Sequence, residues 1–259
     1  KNNITLGAID QKNEEWVLVS GEKWTPIGTE EMPFAGVFDG NGFSVEGVYV
    51  SQNEILSGFF GASSGTVSDL TVKGYVSGKG DVGGISGQCS GTVEGCIFVG
   101  RVDGDGMTGG IVGKAKGTAD SPCEIYLNVS VGAVNAFSGE CAGGIVGFAE
   151  HTAVSSCSGG ADVYSMGNYT SGIVGLASAG VSVLCCNSRG TVTADGTPLD
   201  GWTALLTSGE TAMYGGFYLD SNNSTDGTYS LCVNPKVASA DGKTFNNAWN
   251  GGMLVLTPE

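Results

Sequence analysis

Gly110-Ile111-Val112-Gly113 is one of five copies of a short phrase; the others are Gly58-Phe59-Phe60-Gly61, Gly84-Ile85-Ser86-Gly87, Gly144-Ile145-Val146-Gly147 and Gly172-Ile173-Val174-Gly175. Successive copies begin 26, 26, 34 and 28 residues apart. Self-similarity at this period marks an architecture in which one short unit stacks on the next, because such a unit cannot bury its apolar side alone.

A second pattern follows each phrase. It reads Val67, Leu70, Gly74, Val76, then Val93, Cys96, Gly100, Val102, then Ile125, Asn128, Gly132, Val134, then Val154, Cys157, Ala161, Val163, and finally Val183, Cys186, Gly190, Val192. Aligned copy against copy, these residues form columns. Alternate residues of a strand face opposite ways, so a column that stays apolar lines the interior. Phe59, Ile85, Ile111, Ile145 and Ile173 never admit a polar residue, whereas the next column holds Phe60, Ser86, Val112, Val146 and Val174. The first is therefore the expected core column. Ser63, Cys89, Ala115, Ala149 and Ala177 are all small, as a tight inner corner requires. The phrase glycines are expected either at positive φ or where backbones approach too closely for a Cβ.

Composition agrees. Glycine contributes 46 of 259 residues and proline only 6, without a strict three-residue period, which excludes collagen and disfavours helix throughout. The formal net charge of −15, from 26 acidic and 11 basic residues, disfavours nucleic acid and anionic membranes as partners. No apolar run approaches the ~20 residues of a membrane span. The chain opens at Lys1 rather than methionine, read as a processed or trimmed product from which any export signal is gone.

The expected fold is all-β, a parallel β-helix of about six coils with caps at both ends. At about 4.8 Å per coil the rod is about 30 Å long, and its ends need covering because each exposes open sheet edges. Residues 1–57 are read as an N-terminal cap with the first strands, 58–210 as the coils, and 211–259 as a C-terminal cap containing a short helix near Phe245 to Trp249.

Trp24-Thr25-Pro26-Ile27-Gly28, Gly36-Val37-Phe38-Asp39-Gly40-Asn41-Gly42 and the repeated Gly-Gly-Ile-Val-Gly, in that order, resemble the Glug-motif repeat proteins of bacterial surface and secreted polypeptides. The resemblance spans roughly residues 16 to 205, and Tyr218-Leu219-Asp220-Ser221 is similar to the segment that often closes such arrays. It implies a right-handed parallel β-helix on the bacterial exterior, inside adhesin-like chains, with no catalytic residues to carry over.

Chemistry is sparse. Cys96 and Cys157 share a column two coils apart, too far for a disulfide, and in-register Cys157 and Cys186 point the same way. The cysteines are read as free buried thiols, with no zinc-ligand spacing. His151 is the only histidine, so no Ser, His and Asp set is available. Asp103 and Asp105 in one turn, and Asp220 and Asp226 in another, are the candidate calcium ligands, but the second turn follows neither an EF-hand nor a β-roll pattern, and solvated turns are the favoured reading. The outward columns Tyr75, Arg101, Ala133, Asp162, Thr191 and Lys73, Val99, Val131, Gly160, Arg189 stack no acids, which argues against a polysaccharide lyase or glycosidase. Ile97, Val99, Val129 and Val131 form an outward apolar patch, which the insertion from Lys114 to Glu124 is expected to cover. Three glycosylation sequons, at Asn128, Asn168 and Asn222, read as accidents of composition.

Phe137, Tyr164 and Tyr169 lie in the longer turns of neighbouring coils and are the candidate ligand-binding residues, since exposed rings stack on sugars or anchor a protein partner. The plainer reading folds them back over the rod. The functional expectation is a non-catalytic extracellular or cell-surface module, without a cofactor, that binds a glycan or a host protein. A carbohydrate-active enzyme and a purely structural spacer are the alternatives.

Overall fold

Ser86–Cys89, Thr92–Glu94, Ile97–Gly104 and Met107–Gly109 make one full turn, after which Val112–Lys116 begins the next beside the first. Each strand pairs in parallel with its counterpart one turn away, so Ile97–Gly104 lies between Thr71–Gly78 and Val129–Ala136 along its whole length. The result is an all-β parallel solenoid of about five turns. Its long face is built from Ser44–Val50, Thr71–Gly78, Ile97–Gly104, Val129–Ala136 and Ser158–Ser165, and three faces of shorter strands close the section. The computed structural model describes residues 2–12, 15–51, 55–138, 141–167, 169–184 and 186–198, together with the strands Tyr218–Leu219, Leu231–Cys232, Phe245–Asn250 and Met253–Pro258.

The column Phe59, Ile85, Ile111, Ile145, Ile173 is buried throughout, and each aliphatic side chain stabilises the interior by roughly 1.5–3 kcal/mol. The neighbouring column Phe60, Ser86, Val112, Val146, Val174 is buried as well, although its polar member argued otherwise. The phrase sits at a corner between two short strands, where the Ile111 carbonyl accepts from both Ile85 N–H and Ser86 N–H. That bend breaks the in-and-out alternation, so both residues are enclosed. Ser86 is satisfied there by the Gln88 carbonyl at 2.6 Å and the Ser63 hydroxyl at 3.1 Å.

None of the phrase glycines has positive φ; close approach is what requires them. A Cβ on Gly87 would stand 2.8 Å from Asp81 O, Gly61 O and Ser57 N, all backbone atoms. Left-handed backbone occurs instead at the corner before the long face, where Asp69, Gly95, Leu127 and Ser156 have φ of 50°, 60°, 59° and 53°. The next residue inward is Leu70, Cys96, Asn128 or Cys157, all buried. Asn128 joins two turns, accepting from Cys96 N–H at 2.9 Å and donating to the Val93 carbonyl at 2.8 Å. Its burial excludes it as a glycan attachment point; Asn168 and Asn222 lie outside the described residues. Cys157 and Cys186 donate to carbonyls at 3.3 Å, so these thiols fill space and serve corner carbonyls. Cys89, Cys96, Cys123, Cys141, Cys157 and Cys186 are all free and buried.

Rings close the N-terminal end. Trp24 stacks on Phe59 at 4.5 Å, Phe34 and Phe38 pack on Phe60 at 5.1 and 5.5 Å, and the Trp24 indole donates to the Phe59 carbonyl at 2.9 Å. The two-residue strand Ile4–Thr5 pairs with Ser44–Val50 and forms the edge of the long face. At the other end pairing turns antiparallel, with Val192–Ala194 against Thr197–Pro198 and Tyr218–Leu219 against Leu231–Cys232. The helix expected near Phe245 to Trp249 is instead the strand Phe245–Asn250, hairpinned with Met253–Pro258. Asn246 and Asn247 are poor helix formers.

The 114–124 insertion does not cover the apolar patch. Lys116 ends one short strand and Cys123 begins the next, and the intervening turn protrudes at that corner. Val99 and Val131, on the long face, remain 36% and 42% exposed.

Candidate functional site

Parallel register turns the outer side of the long face into a grid. Its rows read Lys73, Tyr75, Ser77, then Val99, Arg101, Asp103, then Val131, Ala133, Asn135, then Gly160, Asp162, Tyr164. Over the first two turns lies an antiparallel hairpin, Gly7–Lys12 with Glu15–Gly21. From it Trp16 stacks on Tyr75, with ring centres 5.8 Å apart and planes 12° from parallel, and Tyr49 leans on Tyr75 at 5.5 Å. The Tyr49 hydroxyl donates to the Trp16 carbonyl at 3.2 Å, fastening the arm.

Asp103 is the hub beside this stack, only 8% exposed. Its carboxylate accepts from the Tyr75 hydroxyl at 3.0 Å, from Asn135 Nδ2 at 2.7 Å and from Arg101 Nε at 2.7 and 3.0 Å. Charge-assisted bonds of this kind contribute roughly 1.5–3 kcal/mol and, more important here, fix the guanidinium in one place. Arg101 keeps a quarter of its side chain open. Together with Lys23, Glu15 and Phe137 these residues line a groove of about 600 Å³ between the arm and the solenoid.

Of the sequence candidates, Phe137 stands at the far side of this groove and is 43% exposed. Tyr164 belongs to the same face, one rung beyond Asn135. Tyr169 is 39% exposed but projects from a different face, in the strand Tyr169–Ser171. No ring contact joins the three among the described residues, so adjacent coils do not gather them into one cluster. Asp103 is unsuited to calcium, since the Arg101 guanidinium occupies its carboxylate. Asp105 lies beside it, lining a smaller hollow of about 160 Å³ with Lys79 and Phe137, while Asp220 and Asp226 lie outside the described residues. Among the described residues no group of three or more His, Cys, Asp or Glu side chains could hold a metal ion. His151 stands at a corner with φ of 44° and takes no part in the groove.

The sequence missed Trp16 and Tyr49. Tyr75 and Arg101 were legible as outward members of one column, but nothing in the repeat shows that residues 15–21 fold across them.

Two further surface features carry charge. Lys114 and Lys116 edge a hollow of about 430 Å³ on a short face, with Lys116 paired to Glu150 at 2.8 Å. On another short face Tyr126 stands in register with Glu94, whose hydrogen bond pushes the phenol up to about 12. Neither joins a second chemical group into a site.

Comparison with known protein families, characterised proteins and solved structures finds no match to this chain.

Proposed function

We propose that the protein is a non-catalytic extracellular or cell-surface module whose solenoid holds a glycan-binding groove on its long face. The observation that carries this reading is the combination of Trp16, Tyr49, Tyr75 and Phe137 with an arginine held by a buried carboxylate in one groove. Apolar ring faces suit the C–H faces of a pyranose, and oriented donors suit its oxygens. The repeated backbone keeps Tyr75 and Arg101 in place before a ligand arrives, and the Tyr49 hydroxyl fastens Trp16 beside them, so little ordering entropy opposes binding.

The engagement of Asp103 supports binding over hydrolysis. A glycosidase needs a pair of carboxylates free to act on opposite sides of the scissile bond. Here one groove carboxylate is enclosed by four donor contacts, and the other, Glu15, is on the exposed arm. The resemblance to Glug-motif repeats supports the surface location.

A glycan array probed with the full chain, followed by titration of the best glycan with Phe137→Ala, tests this. Phe137 is half-exposed at the groove wall, so its loss should leave melting unchanged and weaken binding about tenfold, equivalent to roughly 1.4 kcal/mol. Undiminished affinity in Phe137→Ala would remove the groove as the site.

A further inference from the structure

Resting on that glycan reading, we infer that the groove selects a sugar bearing a carboxylate, a uronic or nonulosonic acid, through the free fork of Arg101. Arg101 meets Asp103 only through Nε, which donates to both carboxylate oxygens at 2.7 and 3.0 Å. Its two terminal amino groups have no hydrogen-bond partner among the described residues, and a quarter of the side chain is open. A guanidinium held this way presents a planar pair of N–H donors, the geometry that matches a carboxylate with two parallel bonds.

The remaining polar groups point the same way. Asp103 already accepts from Tyr75, Arg101 and Asn135, and the Tyr49 hydroxyl is spent on the Trp16 carbonyl. Lys23 adds a second cation to the wall. Beside one carboxylate on the exposed arm, Glu15, the groove offers the Arg101 fork and Lys23 as unspent cationic donors, which suits an anionic, oxygen-rich ligand. Phe137 across the groove supplies the apolar face for the ring that carries the carboxylate. With a net charge of −15 the protein repels anions at long range, so selection rests on the direct fork and not on steering.

The test pairs acidic glycans with their neutral counterparts on one array, then titrates the full chain with the best acidic binder and with the same oligosaccharide methyl-esterified at its carboxyl groups. The ester is expected to bind at least tenfold more weakly. Arg101→Lys keeps the charge and loses the fork, and should also lose about tenfold with the acid while leaving the ester's affinity unchanged. The ester comparison needs no substitution, so it stands even if Arg101→Lys folds poorly. Equal affinity for acid and ester, or an array bound only through neutral sugars, overturns the carboxylate inference and leaves the groove reading intact. An array on which no glycan binds overturns both. Equal binding of a poly-glutamate peptide would show that the fork takes any carboxylate, which would overturn selection for an acidic sugar.

Discussion

Placing a methyl group at Gly144 tests the stacking directly. A Cβ there would overlap the Gly172 carbonyl oxygen of the next turn and stand 2.8 Å from its carbonyl carbon and 3.4 Å from its Cα. The two turns are tied together on either side of the clash, by Gly144 N–H to the Ser171 carbonyl at 3.0 Å and Ile145 N–H to the Ile173 carbonyl at 3.0 Å. Relief by rotation is therefore closed, and the turns must part by several tenths of an ångström. Overpacking of this kind costs roughly 1–3 kcal/mol, and weakening two backbone hydrogen bonds adds roughly 0.5–1.5 kcal/mol each. Gly144→Ala should thus destabilise by about 2–6 kcal/mol, a fall in Tm on the order of 10 °C for a chain of this size. Gly144→Val, with a branched Cβ, should exceed it. Thermal melts followed by circular dichroism measure the change. Gly160→Ala is the control, because its Cβ would meet only the Ser130 carbonyl oxygen at 3.0 Å and a Val131 methyl at 3.8 Å, and it should melt close to wild type. A Gly144→Ala protein melting within a degree of wild type would refute close approach as the reason for the glycine.

Other outcomes follow from single contacts. Asn128→Ala orphans the Cys96 N–H and the Val93 carbonyl and should cost about 2–4 kcal/mol in urea unfolding, whereas Asn128→Cys, which restores the residue type of the neighbouring turns, should cost clearly less. Burial pushes the Cys96 thiol up to about 12, so peptide-resolved alkylation near neutral pH should label it only after unfolding; rapid labelling of the folded protein would contradict the packed corner. Glu94 holds Tyr126 protonated up to about 12, so a ring-resolved titration should show one late phenol that returns toward 10 in Glu94→Gln. Because that folded pKa is raised, the contact is fully stabilising below pH 10 and is lost as pH rises through about 12.

What the sequence revealed is whatever recurs. The core columns, the small corner and the outward rows were readable because five copies repeat them in the same chemical language. The left-handed corner was not, since its occupants Asp69, Gly95, Leu127 and Ser156 share a backbone angle and no side-chain property. Ser86 misled because a polar residue can be buried once its hydroxyl is satisfied. The groove stayed hidden for a different reason. Trp16 and Tyr75 meet across a fold of the non-repeating arm, and no period relates them. Phe137 was found as an exposed ring in a lengthened turn, but the neighbours that give it a context were not.

Asp103 ties Tyr75 on the preceding turn and Asn135 on the following one to its own. Stacked-repeat proteins ordinarily unravel from their ends, each turn answering only to the one beside it. A single carboxylate clamped to both sides makes three consecutive turns open or close as one, and Trp16 pressed on Tyr75 recruits the arm into the same unit. Amide exchange across this stretch should accordingly be uniform, with fraying confined to turns beyond Asn135, so the rigid part of the solenoid and the groove coincide.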